Sequence, residues 1–71
     1  MKYAVVFERS PRNYSAYVPD LPGCVATGRT RKEVEQRIQE AIKFHVEGMR
    51  LEHMPVPKPS TWAKDIEVKV A

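Results

Sequence analysis

The twenty residues from Tyr14 to Glu33 constrain the fold of this chain more than any other segment. Tyr14 to Val18 alternates between two faces with the period of a half-buried strand. The motif loop, Pro19-Asp20-Leu21-Pro22-Gly23-Cys24, comes next. Its two prolines each fix φ and lack a backbone donor, and its glycine permits the positive φ of a tight reversal. Because Cys24 to Arg29 then resumes a strand of mostly small or β-branched residues, the segment predicts two strands joined by a stiff structural loop.

A long amphipathic helix is predicted directly after the second of these strands. Thr30 followed by Glu33 has the spacing of a capping box, so the helix should begin at Arg31. The helical pattern ends between Arg50 and Glu52. At about 100° per residue, one narrow apolar face is formed by Val34, Ile38, Ala41, Ile42, His45 and Met49.

Two further strands complete the predicted order of elements. Lys2 to Glu8 is the first strand, and the turn from Arg9 to Asn13 joins it to the second as an antiparallel hairpin. Alternating prolines between His53 and Ser60 exclude a helix and favour an extended connector. Asp65 to Val70 alternates charged and apolar residues, which predicts a last strand. The chain is thus predicted to be a single α+β domain, residues 1–71, of order β-β-β-α-β.

The path of the chain predicts the order of strands in the sheet. A right-handed crossover through the helix would place the last strand parallel to the first, in a four-stranded sheet of order 3-2-1-4 with the helix on one face. The other face, which includes Ala4 and Val6, would then need a separate cover. A chain of 71 residues buries only about 60% of the surface that its unfolded form exposes, and its single cysteine has no disulfide partner. We therefore expect a homo-oligomer, with Trp62 anchoring the connector to the body or to a second subunit.

Catalytic and cofactor sites are not indicated by the sequence. Cys24 opens a strand and His45 lies on the apolar helix face, which is a poor arrangement for a thiol–imidazole pair. The acidic residues of the strands and loops are too scattered for a two-metal nuclease, and Asp20 is better explained as a turn residue that accepts backbone N–H bonds. Neither a glycine-rich phosphate loop nor a metal-ligand spacing occurs. The sequence predicts a non-enzyme without metal or cofactor, and a residual nuclease that depends on Asp20 stays an alternative.

The charge pattern leaves a role in binding open. The formal net charge is +3, and basic and acidic residues interleave over most of the chain. In the predicted topology one end of the sheet gathers five cations, here named the basic rim: Arg9, Arg12, Arg29, Arg31 and Lys32. The basic rim is either a solvated surface or a binding site for an anionic partner such as nucleic acid. No apolar run is long enough for a signal peptide or a membrane span, and the lone thiol suits a reducing cytoplasm.

Several of these motifs together resemble the HicB-like antitoxin family. The similarity is carried by Tyr17 to Cys24, then Thr27, Gly28 and Thr30, and by Glu40-Ala41-Ile42, Glu47 and the segment Pro55 to Ser60. It extends over nearly the whole chain. The resemblance implies a β-β-β-α-β domain that is partly similar to an RNase H fold but lacks the catalytic acids of that fold.

The resemblance also implies a partner. HicB-like proteins pair with HicA-type toxins, which are small RNA-cleaving proteins with a double-stranded-RNA-binding-like fold and a catalytic histidine, and they hide the active surface of the toxin. Members commonly form dimers or tetramers. Many also carry a C-terminal DNA-binding domain, for which this chain has no room before Ala71, so we expect a short single-domain member that does not bind an operator directly.

Two hypotheses follow for the function. In the first, the protein is a cytoplasmic, homo-oligomeric antitoxin that binds and occludes a HicA-like mRNA-cleaving toxin. In the second, it is a stand-alone nucleic-acid-binding or regulatory module that uses the basic rim.

Overall fold

The structure is a computed structural model that describes residues 1–71, and it contains one antiparallel sheet and one helix. The elements in chain order are β1 (Val6–Arg9), β2 (Tyr14–Tyr17), β3 (Val25–Gly28) and α1 (Arg31–Leu51). The strands lie in the order β1-β2-β3. The predicted α+β class, the first hairpin and the three-stranded meander are therefore confirmed.

The register of the strands determines which side chains share a face. Val6 of β1 lies opposite Tyr17 of β2, and Tyr17 lies opposite Val25 of β3. Opposite residues of antiparallel strands point to the same side of the sheet. The predicted start of β1 at Lys2 is wrong, because β2 turns into the motif loop after Tyr17 and leaves the residues before Val6 without a ladder partner.

Both ends of α1 are fixed by local hydrogen bonds. Thr30 is the N-cap: its Oγ1 accepts a bond from the Glu33 N–H at 3.0 Å, and Glu33 Oε1 in turn accepts one from the Arg29 N–H at 3.0 Å. At the other end, His53 adopts a left-handed φ of 57°, and the N–H groups of His53 and Met54 close the last turn of the helix. The predicted helix and its capping box are confirmed.

The hydrophobic core lies between α1 and the strands β2 and β3. Its buried members are Ala16, Val18, Leu21, Cys24, Val34 and Ile38. Helix α1 packs against β3 and β2, and its Cα atoms all lie more than 8 Å from those of β1. A helix of 21 residues is about 32 Å long, whereas a four-residue strand spans only about 13 Å. The C-terminal half of α1 therefore extends beyond the sheet, and its side chains are less buried than Val34 and Ile38.

The predicted fourth strand, Asp65–Val70, is not formed, so the four-stranded sheet of order 3-2-1-4 is wrong for this chain. Residues Trp62–Ala71, here named the C-terminal arm, form no helix or strand, and all of them are exposed. The Cα radius of gyration is 14.3 Å, against about 11 Å for a compact chain of this length. The connector is bonded to Tyr3 and Asp20 at one end of the sheet, and no residue after Thr61 forms a ladder with β1. No helix combines the length and hydropathy that crossing a bilayer requires.

Candidate partner-binding surfaces

The motif loop is a compact, internally bonded reversal between β2 and β3. The Leu21 N–H donates to the Val18 carbonyl at 3.0 Å, and the Cys24 N–H donates to the Leu21 carbonyl at 3.0 Å. The Val18 N–H closes the loop on the Cys24 carbonyl at 3.1 Å. Gly23 has φ +84°, as the sequence predicts for this turn. Because Leu21 is fully buried, the loop is part of the core, and its structural assignment agrees with these contacts.

Asp20 fastens the motif loop to the distant connector. Its carboxylate accepts bonds from the backbone N–H groups of Ser60 at 2.8 Å and Thr61 at 2.9 Å, and from the hydroxyls of Ser60 at 3.0 Å and Thr61 at 2.7 Å. We call this set of bonds the Asp20 clip. The Thr61 and Ser60 backbone bonds, together with the two hydroxyl bonds, hold the pKa of Asp20 well below its usual range. Asp20 does accept backbone N–H bonds as predicted, but from residues forty positions away rather than from its own turn.

The cysteine of the motif loop belongs to the core. Cys24 is 3% exposed, and burial raises the pKa of its thiol. A raised pKa keeps the thiol neutral, whereas a nucleophilic cysteine requires the thiolate. Within residues 1–71, no three His, Cys, Asp or Glu side chains are grouped closely enough to hold a metal ion.

The basic rim is divided by the structure into two groups. Arg12 and Arg29 line one open cleft, and Arg37 joins them there. Arg9 and Arg31 line a second groove, in which the Arg9 guanidinium carbon lies 6.0 Å from the centre of the Tyr14 ring. Lys32, the fifth predicted member, lies in the first turn of α1 and lines neither depression.

Arg37 is a member of the first group that sequence reasoning did not place there. It is exposed, it pairs with Glu33 at 3.2 Å, and its Nη1 donates to the Thr27 carbonyl at 3.1 Å. The i,i+4 spacing of Glu33 and Arg37 allows their pairing in any helix, but the bond to β3 depends on how the helix lies on the sheet. This is the one ion pair of the structure, so the five predicted rim cations have no acidic partner within the chain.

The face of the sheet opposite α1 carries an apolar patch at one end. Val6, Tyr17 and Val25 lie side by side in register, and we name them the open-face patch. Tyr17 is 41% exposed and Val25 is 63% exposed. The next row of this face, Glu8, Ser15 and Thr27, is polar. The sequence prediction of an uncovered face containing Val6 therefore agrees with the structure, although only half of that face is apolar.

A second set of exposed apolar residues lies outside the sheet. Phe44 and Leu51 project from the part of α1 that extends beyond the strands, and both are about 80% exposed. Trp62 is 78% exposed, so the prediction that it anchors the connector to its own body is wrong. The connector is held instead by the Asp20 clip and by the Tyr3 hydroxyl, which donates to the Pro57 carbonyl.

Comparison with known proteins identifies relatives that span nearly the whole chain. Residues 3–69 match the family described as the HicB_like antitoxin of bacterial toxin-antitoxin system. A UPF0150 protein of Synechocystis is 38% identical over 69 residues, covering 96% of this chain and 87% of that protein. A UPF0150 protein of Thermoplasma acidophilum is 35% identical over 69 residues, covering 96% of this chain and 97% of that protein.

A solved structure shares the fold. A chain of a HicA3 and HicB3 toxin-antitoxin complex superimposes with a TM-score of 0.72 and 27% sequence identity, covering 83% of this chain and 69% of that chain. The sequence matches and this structural match agree with the motifs noted in the loop, helix and connector. The protein belongs to the HicB-like antitoxin family of bacterial toxin-antitoxin systems.

Proposed function

We propose that this protein is a non-enzymatic antitoxin that binds a HicA-like toxin and inhibits it by covering its RNA-cleaving surface. The observation that carries the proposal is the match to a solved toxin-antitoxin complex, which extends over 83% of this chain. The family match over residues 3–69 supports it independently of the coordinates.

The open-face patch is the surface that we assign to toxin contact. Its three residues stand on neighbouring paired strands, so little backbone entropy is lost when a partner binds. An apolar centre beside the polar row of Glu8, Ser15 and Thr27 has the anatomy of a protein–protein interface. Tyr17 stands at the centre of the patch, and exposed tyrosines are frequent hot spots of such interfaces.

The charge of the chain is compatible with this assignment. The formal net charge of +3 does not attract a basic RNA-binding toxin over long distances. The open-face patch itself contains no charged residue, so contact there depends on burial of apolar area rather than on ion pairs. Association should therefore depend only weakly on salt concentration.

Isothermal titration calorimetry with a purified HicA-like toxin from the same genome tests the assignment. We expect Val25→Glu to weaken binding at least about tenfold, because a carboxylate would be buried without a partner. The control is Phe44→Glu, since Phe44 is an exposed apolar residue, 80% against 63% for Val25, that lies outside the sheet. Absence of binding by the unmodified protein would reject the antitoxin proposal, whereas equal binding by both variants would reject only the open-face patch as the contact.

A second candidate function is nucleic-acid binding through the basic rim. It is favoured by one observation, namely that none of the five rim cations has an acidic partner within the chain. About three contacts to single-stranded RNA would give a slope near −2 for log K against log salt, or a loss of roughly sixteenfold in affinity between 50 and 200 mM. Filter binding of RNA to the wild type and to Arg12→Glu/Arg29→Glu measures this slope, and binding that is absent or insensitive to salt would exclude the function.

We also propose that the protein is a homo-oligomer. Many large apolar side chains of this small chain are exposed, and those more than 70% exposed include Phe44, Leu51, Trp62, Ile66, Val68 and Val70. Such a surface is typical of proteins that associate. Sedimentation equilibrium at micromolar concentration measures the mass, and a strictly monomeric species would contradict this proposal without affecting the calorimetric result.

A further inference from the structure

The connector crosses one end of the sheet before the C-terminal arm begins. The Pro57 carbonyl is bonded by Tyr3, which precedes β1, whereas Ser60 and Thr61 are held by Asp20, which follows β2. In an antiparallel hairpin the start of β1 and the end of β2 lie at the same end of the sheet. The connector therefore runs from the β1 side of the sheet to the β2 side, and at Thr61 it already lies beyond the edge strand β1.

The arm has no means of turning back to that edge. Between Thr61 and Asp65 the sequence is Trp62-Ala63-Lys64, with no glycine, proline or asparagine to form a tight reversal. Every residue from Lys58 to Ala71 is exposed. The Asp20 clip holds Ser60 and Thr61 at the base of the arm, and the residues after them are exposed and form no strand with this sheet.

The arm nevertheless has the pattern of a paired strand. Ile66, Val68 and Val70 alternate with charged residues, and the three are 77%, 72% and 90% exposed. A regular alternation of this kind is expected where one face of a strand is buried. The six residues Asp65–Val70 would span about 20 Å as a strand.

The acceptor for such a strand is the free edge of β1. This edge is outermost in the sheet, and α1 covers β2 and β3 but not β1. Phe7 lies opposite the buried Ala16, so it points to the helix side of the sheet, yet it is 45% exposed. A groove between β1 and the start of α1 is lined by Phe7, Tyr14 and Val34 together with four charged residues, namely Glu8, Arg9, Arg31 and Glu35.

We propose that the C-terminal arm of one copy pairs with the β1 edge of a second copy, and that the exchange is reciprocal. Each copy carries both an unpaired apolar strand and an uncovered sheet edge, so a two-fold dimer satisfies both features at once. Strand β1 spans about 13 Å, and with the residues that precede it from Tyr3 the acceptor segment spans about 23 Å, against about 20 Å for Asp65–Val70. The apolar side of the arm covers Phe7 and the groove beside it, as in other cases of strand addition.

The area buried is that of a weak dimer. One paired segment of about 20 by 10 Å hides roughly 200 Å² on itself and as much on its acceptor, so two arms bury about 800 Å², below the roughly 1,200 Å² at which stable interfaces begin. This inference specifies the self-association proposed above and is independent of toxin binding. It also leaves the open-face patch accessible, because β1 receives the arm at its edge.

Analytical ultracentrifugation of the full chain tests the proposal. We expect Ile66→Lys/Val68→Lys to raise the dimer dissociation constant at least about a hundredfold, because both arms lose their apolar contacts. The matched control is Glu67→Lys, which changes the opposite side of the same arm and should shift the constant by less than about fivefold. Circular dichroism at 222 nm verifies that α1 is retained in each variant.

Hydrogen exchange of the β1 amides provides the second readout. The amides of β1 that face the free edge should be protected in the wild type and exposed in Ile66→Lys/Val68→Lys. A wild type that stays monomeric at about 100 µM overturns both self-association and the arm exchange. A dimer that Ile66→Lys/Val68→Lys does not weaken, with unprotected β1 edge amides, overturns the arm exchange alone.

Discussion

Replacing Gly28 by alanine should destabilise the protein, because the last residue of β3 touches the first turn of α1. A Cβ built at Gly28 lies 2.7 Å from the backbone nitrogen of Val34, 3.0 Å from its Cα and 3.2 Å from the carbonyl carbon of Glu33. Ordinary van der Waals contact begins near 3.4 Å, so the shortest distance falls short by about 0.7 Å. All three atoms belong to the helix backbone, so no side-chain rotation can relieve the overlap.

The magnitude follows from two opposing effects. Overpacking of a well-packed core costs about 1–3 kcal/mol, and the upper part of that range applies because a backbone segment must move. Alanine also reduces the conformational entropy of the unfolded chain, which raises the free energy of unfolding by about 0.4–1 kcal/mol. The net loss in the free energy of unfolding should be about 2 kcal/mol, equivalent to roughly 8–16 °C in Tm for a domain of this size.

Urea unfolding followed by circular dichroism at 222 nm measures this loss, with all samples at one protein concentration because self-association contributes to stability. Gly48→Ala is the matched control, since nothing lies within 4 Å of a Cβ at that helical position. It should increase the free energy of unfolding by up to about 1 kcal/mol. A Gly28→Ala variant as stable as the wild type would refute the close packing of β3 against α1.

Three further predictions concern stability. Asp20→Asn should lower the free energy of unfolding at neutral pH. The pKa of Asp20 is depressed in the folded protein, so its carboxylate contributes fully to the free energy of unfolding above the ordinary pKa near 4. This contribution is lost as the pH falls below that value, so the urea curves of the two proteins should converge only in acid. His53→Gly should stabilise the helix end by about 1 kcal/mol, since His53 has a φ of 57°, and an unchanged urea midpoint would contradict this. Leu21→Ala should cost about 2–5 kcal/mol by opening a cavity in the core, and a thermal melt within a few degrees of wild type would show that the motif loop is not part of that core.

The local elements of this fold could be predicted from the sequence because their causes are local. Thr30 and Glu33 form the predicted capping box, and the helix ends within the predicted interval. The prolines and Gly23 likewise specify the motif loop through their own backbone preferences.

The features that could not be predicted from the sequence depend on residues that are far apart along the chain or on other molecules. The carboxylate of Asp20 is bonded by residues forty positions away, and no spacing rule connects them. Arg37 joins the basic rim only because α1 lies across β3. The alternation of Asp65–Val70 predicts a strand, but no strand forms there within the chain, because pattern alone does not specify an edge that accepts it.

The positive φ of His53 could have been found from the chain. It occupies the position after the helix cap where glycine is usual, and the prolines that follow it exclude any continuation of the helix. Periodicity predicts where the helix ends, but it does not predict the conformation of the last turn.

The most direct test of the central claim is an RNA-cleavage titration. A HicA-like toxin from the same genome is held at a fixed concentration with a labelled mRNA, and the rate of cleavage is measured as this protein is added. Steric occlusion predicts that cleavage falls in proportion to added protein and reaches background near an equimolar ratio of binding sites. Undiminished cleavage at a tenfold excess of folded protein would contradict the account.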